Sequence, residues 1–394
     1  MDISMLGSKT TDYIIIGSDI SGIVLANRLS TNNDVLMLDI GDLKCFTDTA
    51  VDNLYDRGSV DLFKDWEALL GSPDWSVHRV QKMYTQLETS LKLSIQHSLP
   101  NSTSDSIRYS IKDTFQVPFC DVYSPADTAG NIGIFTDWIT AKLELDSKVR
   151  YLKVDRVKHL KVKTLKSDPT RKRVTQVVVV VGDTPFKIKV QKRVILTSHL
   201  WFRDHLGVQK PAKHHWILPA QFSAITDTKD STIRAYLPDP LGHPQRRGIQ
   251  LIISMTSGGV QINGIHLRWH DANDLDTGKS YYRNIIGPLA RNLRNHHIEL
   301  VSPSEELIYG NDDALEDFIK TTMIPMSDSS SYLPGGPVDC GNIADEHGCI
   351  YGTENVHIIG PGFFPMIADA PPLGPSCLTS MILEDWITKS IQET

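Results

Sequence analysis

Residues 12 to 40 constrain the fold of this chain more than any other stretch. Tyr13 to Ile16 is an apolar run of the buried-strand kind that breaks at Gly17-Ser18-Asp19. Ile20 to Leu29 then places apolar residues at helical spacing, and Val35 to Leu38 is a second apolar run ending at Asp39. Strand, helix and strand in so short a span predict a βαβ unit, the opening of a doubly wound parallel sheet. Near the other end, Val356 to Ile359 is a second strand, and it leads into a turn at Gly360-Pro361-Gly362.

The first turn carries a chemical message as well as a structural one. A dinucleotide site of this type needs three glycines: one for the tight turn, one for close approach of the pyrophosphate, one for packing of the helix on the strand. Gly17 holds the first place and Gly22 the third, but Asp19 holds the second. A side chain there crowds a pyrophosphate, and a carboxylate sets negative charge against negative charge. The amino terminus of the helix attracts anions, and Asp19 is placed to answer that field itself. Asp39 lies about 22 positions after Gly17, where a ribose hydroxyl is held in such folds. Gly17, Ser18, Gly22 and Asp39 are therefore the candidate cofactor contacts at this end.

A chain of 394 residues has room for two domains, or one domain with a large insertion. Residues 60 to 98 read as helical, with Trp66, Leu69, Leu70, Val80, Met83, Tyr84 and Leu87 recurring at helical spacing. Residues 99 to 130, rich in Ser, Asp and Pro, read as an extended surface segment. Five β runs follow between Val149 and Thr197, separated by short turns such as Gly182-Asp183. Ile249 to Met255 and Val260 to His266 are further strands, and a helix from about Ser376 to Ile391 closes the chain.

The net charge of −7 and pI near 6.0 argue against a nucleic-acid partner. The one basic stretch, Lys158 to Lys172 around Asp168-Pro169, reads as a solvated hairpin tip. No run of about eighteen apolar residues predicts a membrane span, and Met1 to Thr11 lacks an apolar signal core. The expectation is a cytoplasmic protein with no membrane partner. Five widely spread cysteines without CxxC spacing point to reduced thiols and against zinc. The neighbouring pairs His214-His215 and His296-His297 diverge on any regular backbone, so no metal is expected. No Ser-His-Asp constellation or Walker phosphate loop is assignable.

Together the two ends resemble the glucose–methanol–choline (GMC) family of flavin oxidoreductases. Tyr55-Asp56-Arg57-Gly58-Ser59 and the run from Asp65 to Ser76 are similar to the family's segment after its flavin-binding loop. There a Tyr-x-Arg-Gly precedes a Trp and a Gly-Asn-Pro-Gly-Trp-Ser-like turn. Gly352 to Pro365 is similar to the family's Gly-x-x-Asn-Leu-x-Val-x-Gly-x-x-x-x-Pro stretch, which implies that the backbone at Gly360 and Pro361 would face a flavin. The resemblance spans roughly the first 90 and last 70 residues and, more loosely, the strands between 149 and 200. It implies an α/β fold: a doubly wound, Rossmann-like FAD-binding-type domain from residues 1–100, 149–205 and 330–394, and a β-rich, GMC-like substrate domain from 101–148 and 206–329.

The departures from the family are systematic. Asp42 to Leu54 fills the place of a Gly-Gly-x-x-x-x-Asn flavin loop without a glycine pair. Tyr332, in Tyr332-Leu333-Pro334-Gly335-Gly336, stands where the family has its catalytic histidine. Ala368-Asp369-Ala370-Pro371 stands where a second catalytic His or Asn precedes a proline. Alcohol oxidation of this kind needs a base near neutral pKa while hydride leaves to the flavin. A tyrosine titrates near 10, so Tyr332 suits hydrogen-bond donation better.

The expectation is a GMC-fold protein that has lost flavin redox chemistry, with no cofactor favoured and FAD if any. In this reading it acts on an apolar small molecule as a non-oxidative lyase, isomerase or cyclase. Tyr332 and Asp369 are the candidate catalytic groups. His266 and His270, four residues apart and on one face of an extended strand, are the candidate substrate contacts. An FAD-dependent alcohol oxidoreductase is the first alternative. A non-catalytic scaffold with a protein partner is the second.

Overall fold

The computed structural model describes residues 10–40, 55–97, 102–120, 132–135, 137–197, 216–223, 231–239, 243–256, 258–266, 275–325, 343–366, 368, 370–371 and 373–392. The amino-terminal part runs β1 (Thr10–Ile16), α1 (Ile20–Leu29), β2 (Val35–Asp39), α2 (Val60–Leu70), α3 (Val77–Ser90), β3 (Lys92–His97) and α4 (Ser102–Phe115). Strands follow: β4 (Phe119–Cys120), β5 (Gly133–Phe135), β6 (Asp137–Lys142), β7 (Arg150–Lys153), β8 (Arg156–Thr164), β9 (Lys172–Val181) and β10 (Thr184–Leu196). Then come β11 (Trp216–Phe222), β12 (Ser231–Asp239), β13 (His243–Thr256), β14 (Gly259–His266), α5 (Leu275–Tyr281), α6 (Gly287–Arg294) and β15 (Leu300–Ser302). The chain closes with α7 (Glu305–Tyr309), α8 (Asp312–Thr322), β16 (Ile324–Pro325), β17 (Val356–Ile358) and α9 (Leu373–Gln392).

One sheet of seven strands has the order β7-β2-β1-β10-β9-β8, with β17 also paired to β10. The pairs β7–β2, β2–β1, β1–β10 and β10–β17 are parallel. Strands of such a sheet are covered on both faces and read as continuous apolar runs, and Tyr13 to Ile16 are all buried. Tyr13 and Ile15 pack with Leu25 and Leu29 of α1 and Leu383 and Ile387 of α9, whereas Ile14 and Ile16 face the cluster that holds α2 and α3. Sequence alternation thus assigns a helix layer to each face.

Phe186 to Val190 and Arg193 to Thr197 were expected as two strands; β10 is a single one. Its first half pairs antiparallel with β9 from Thr184 to Lys189, and its second half pairs parallel with β1 from Lys189 to Leu196. β8, β9 and β10 therefore form a meander attached edgewise to the parallel core.

The second sheet has eight strands in the order β15-β11-β14-β13-β12-β5-β4, with β16 on β11, and only β4–β5 is parallel. α5, a π turn over Tyr282–Ile286 and α6 pack Tyr282, Ile286, Leu289 and Leu293 against it. On its other side Phe135, Tyr236, Ile252 and Ile265 join the core cluster of the first sheet, beside the buried polar side chains Arg234 and Gln250 on the same face. Among the described residues, no helix is long and apolar enough to cross a membrane. Cys120, Cys349 and Cys377 are free thiols.

Two expectations are corrected here. The surface segment expected at 99–130 contains helix α4, whose Ile107 and Ile111, one turn apart, are fully buried in the second core. Its serines suggested turns, yet a buried face at i, i+4 outweighs local propensity. The helical reading of 60–98 also ends early: β3 pairs antiparallel with β6 in a two-stranded ribbon, Lys92 opposite Lys142 and His97 opposite Asp137.

The closest backbone approach near the sheet junction is at Gly374 in the first turn of α9. A Cβ there would stand 2.0 Å from the carbonyl oxygen of Asp56. Gly374→Ala is expected to displace the helix start or the 55–58 segment and to lower the thermal midpoint by more than about 5 °C. A midpoint unchanged within error would show that this packing is softer than the geometry demands.

Candidate functional site

Strand order reverses beside β1, with β2 on one side and β10 on the other, so the crevice of the parallel sheet opens at the carboxyl end of β1. Gly17 leaves the strand at φ +116, a left-handed conformation that favours glycine, and donates its N–H to Leu38 at 2.9 Å. Gly22 lets α1 sit against the strand: a Cβ there would lie 2.8 Å from the Gly17 carbonyl oxygen and 3.2 Å from Thr197 Cγ2. The first and third glycine positions thus do what their spacing implied.

Asp19 is the N-cap of α1. Its carboxylate accepts the Gly22 N–H at 2.9 Å and the Ser21 hydroxyl at 2.5 Å, and the residue is buried. It sits where the helix dipole and free amides would otherwise hold a phosphate. Burial pushes its carboxyl above the usual carboxylate range, against the hydrogen bonds from Ser21, Gly22 and Thr197. Asp39, at the end of β2, accepts the Ser18 hydroxyl at 3.0 Å and the Tyr151 hydroxyl of β7. Partial burial, together with that hydrogen bond and the Asp39 charge, pushes the Tyr151 phenol up to about 12.

The second turn closes on the first. Gly360, at φ +71, approaches so near that a Cβ would lie 2.7 Å from Ser21 Oγ. Its N–H donates to Thr379 Oγ1 at 2.8 Å, while Ser380 of α9 donates to the Ser21 carbonyl at 2.8 Å. Pro361 is buried beside it. Beyond the turn, Phe363 stacks on Trp75 and Phe364 packs on Trp66, with ring centroids 5.5 and 4.9 Å apart. The two ends of the chain are joined through these rings.

The Tyr55-Asp56-Arg57-Gly58 segment ties the junction of the two sheets. Arg57 makes a two-pronged ion pair with Glu88 of α3, at 2.6 and 2.5 Å, and Tyr55 donates to the same carboxylate at 2.7 Å. Asp56 accepts Tyr236 of the second sheet at 2.9 Å, and Gln250 donates to that phenol oxygen at 3.2 Å.

On the outer side of β17, His357 is fully buried and its Nε2 lies 2.6 Å from an Arg193 nitrogen. Arg193 also covers the ring of Trp386 at 4.7 Å, and His347 stacks on that ring from another side. Burial and the Arg193 charge push the His357 imidazole down to about 3. Asp345, Glu346 and His347 bring one ligand atom each within 4.8 Å. The Asp345 carboxylate accepts the N–H groups of His347 and Cys349, and His347 pairs with Asp74 at 3.0 Å, which is the chemistry of a braced turn.

The structure brings Gly17, Ser18, Gly22, Asp39, Gly360 and Pro361 to one end of the sheet. Tyr332, Asp369 and His270 lie outside the described residues, as does the 42–54 interval. His266 ends β14, on the second sheet. Ser21, Thr197, Thr379 and Ser380 were missed. The only sequence signal for the last two is the run of small residues from Gly374 to Ser380, which marks close packing of a helix start.

A parallel sheet opened by a glycine turn, carrying a β-meander and joined to an antiparallel sheet, defines a flavoprotein oxidoreductase fold of the GMC type. The chain superposes on pyridoxine 4-oxidase from Mesorbium loti with a TM-score of 0.71 at 13% identity, over 96% of this chain and 99% of that one. It also superposes on an FAD-dependent oxidoreductase from Chaetomium thermophilum (0.74, 11%, 97% and 100%) and on a formate oxidase from Aspergillus oryzae (0.69, 11%, 98% and 99%). At these identities the likeness is one of fold. No family model matches the chain, and no curated protein matches it in sequence.

FAD, the cofactor that the resemblance to the GMC family implies, meets a mixed site. The turn at Gly17, the packing at Gly22 and the Asp39 carboxylate fit an adenosine half. The pyrophosphate seat does not, because the Asp19 carboxylate occupies the helix amino terminus and takes the Gly22 amide.

Proposed function

We propose that this protein uses the GMC fold for a non-oxidative conversion of an apolar small molecule, of the lyase, isomerase or cyclase type, without flavin chemistry at the ordinary site. The observation that carries this reading is Asp19, buried and hydrogen-bonded in the place a pyrophosphate needs. A dinucleotide would have to expel that carboxylate or bury two anions side by side, and unpaired buried charge is strongly unfavourable. The apolar part of the sheet junction, Phe135, Ile252 and Ile265, supports an apolar ligand. Tyr332 is the proposed hydrogen-bond donor and Asp369 the proposed carboxylate. Orientation of a substrate by shape and one or two such groups is enough to favour ring closure or rearrangement.

The test is the visible absorption of the purified protein, followed by denaturation and analysis of any released flavin. A colourless protein is expected, with no flavin recovered and none taken up from added FAD. Asp19→Gly is expected to raise FAD affinity by about tenfold or more, since it removes both the charge and the bulk. A yellow protein with stoichiometric FAD would overturn the proposal. It would favour a second reading, FAD-dependent oxidation of an alcohol, which is supported by the names of the solved structures that share the fold and by Asp39.

A further inference from the structure

The β8–β9–β10 meander is strongly cationic. Residues 156–196 carry 12 Lys and Arg against two acidic residues, in a chain whose net charge is −7. The solvated hairpin tip expected from sequence covers only part of this. The register extends it across three strands: Lys161 and Lys189 lie on either side of Gln176, and His159 and Lys187 on either side of Val178. Beyond a bulge in β9, Lys163 lies opposite Arg173. The alternate register positions Val177, Val179 and Ile188 are buried in the core, so the cationic positions share the outer face.

Two bland explanations fall short. Lysines on an edge strand discourage edge-to-edge pairing, and β8 is such an edge. Lys189, however, lies on a strand with neighbours on both sides, Gln176 of β9 and Thr10 of β1. Internal ion pairing does not account for the charges either. Arg173 pairs with Glu354 and Lys192 with Asp12, yet among the described residues no acidic group pairs with Arg156, Lys158, Lys161, Lys163, Lys187 or Lys189.

We propose that this face is a docking surface for an anionic lipid bilayer. The charge complementarity is specific in kind. Five of those six unpaired cations are lysines, compact hydrated charges suited to a diffuse anionic surface, whereas bidentate phosphate recognition favours arginine. The paired residues of the outer register are Lys, Arg, His, Gln, Pro and Val, with no Phe, Tyr or Trp ring on which a nucleic-acid base would stack. The acidic remainder of the chain, repelled by the same surface, orients the molecule with the meander toward it. The proposal stands independently of the reaction catalysed.

The test is co-sedimentation of the full chain with phosphatidylcholine vesicles, with and without about 30% phosphatidylserine. Binding is expected only with the anionic lipid, and it should fall at least about tenfold when salt rises from about 50 to about 500 mM. Each cation near such a surface is worth roughly fivefold in binding, so Lys161→Glu, Lys187→Glu and Lys189→Glu together should weaken it by about a hundredfold or more. The same three changes to Gln serve if charge reversal impairs folding, judged by circular dichroism. Failure to bind anionic vesicles, or binding that neither salt nor the Gln variant weakens, overturns the proposal. Tighter binding to poly(U) RNA than to vesicles overturns it in favour of nucleic acid. A salt-sensitive dimer that excludes vesicles overturns it in favour of a second copy of this chain.

Discussion

Glu88→Ala should cost about 3–5 kcal/mol of stability, read from the urea midpoint, because it removes the two-oxygen ion-pair partner of the buried Arg57 guanidinium. Arg57 is only 7% exposed, and Glu88 meets it through both carboxylate oxygens. The same change removes the acceptor of the buried Tyr55 hydroxyl. A buried ion pair adds little over apolar groups of the same shape, whereas half of one is expensive. Arg57→Leu combined with Glu88→Leu should therefore recover a large part of the loss. If the single change costs less than about 1 kcal/mol, water reaches the pair and it does not tie the segment down. The consequence extends beyond α3, because the 55–58 segment also holds Tyr236 of the second sheet and abuts the start of α9.

Acidification should destabilise the protein through His357. The unfolded imidazole titrates near 6.5, and the folded one is pushed down to about 3 by burial and the Arg193 charge. The unfolded state then binds more protons between those values, so this contribution is fully present above pH 6.5 and is lost as pH falls toward 3. Each pH unit is worth about 1.4 kcal/mol, for a total of about 4–5 kcal/mol. Asp19 and Asp345 act in the opposite sense, since burial holds both carboxyls above their ordinary range and protonation relieves them. The clean measurement is thus a difference. His357→Gln keeps an acceptor for Arg193 and cannot titrate, so the stability gap between wild type and variant should shrink steadily from pH 7 to pH 4. A constant gap would mean that His357 opens to solvent or protonates in place. Arg193 bridges His357 of β17 to Trp386 of α9, so the titration reports on the docking of the final helix.

Much of the fold was legible in local pattern. The βαβ opening, the strands of the meander and the closing helix follow from runs of apolar residues and their spacing, which burial in a parallel sheet demands. The replacement of the second turn glycine by Asp19 was equally legible, because the meaning of that position depends on three residues in a row. The buried pair Ile107 and Ile111 was outweighed in reading by the serines around it. Its partner surface, the second sheet, is assembled from residues far along the chain.

The sequence by itself determined which strands are buried on both faces, where the glycine turn falls and that a carboxylate stands at the helix start. Tertiary structure alone decided the rest. Folding brought Gly360 against Ser21 and Arg57 against Glu88, and buried His357 beside Arg193 at a separation of 164 residues. Strand register alone set Lys189 and Lys161 across Gln176 and turned a hairpin's worth of lysines into a charged face. The physical reason is common to all of these. Periodicity encodes how a residue faces its own helix or strand, but the identity of the group it meets depends on chain closure over long separations, which no local pattern records.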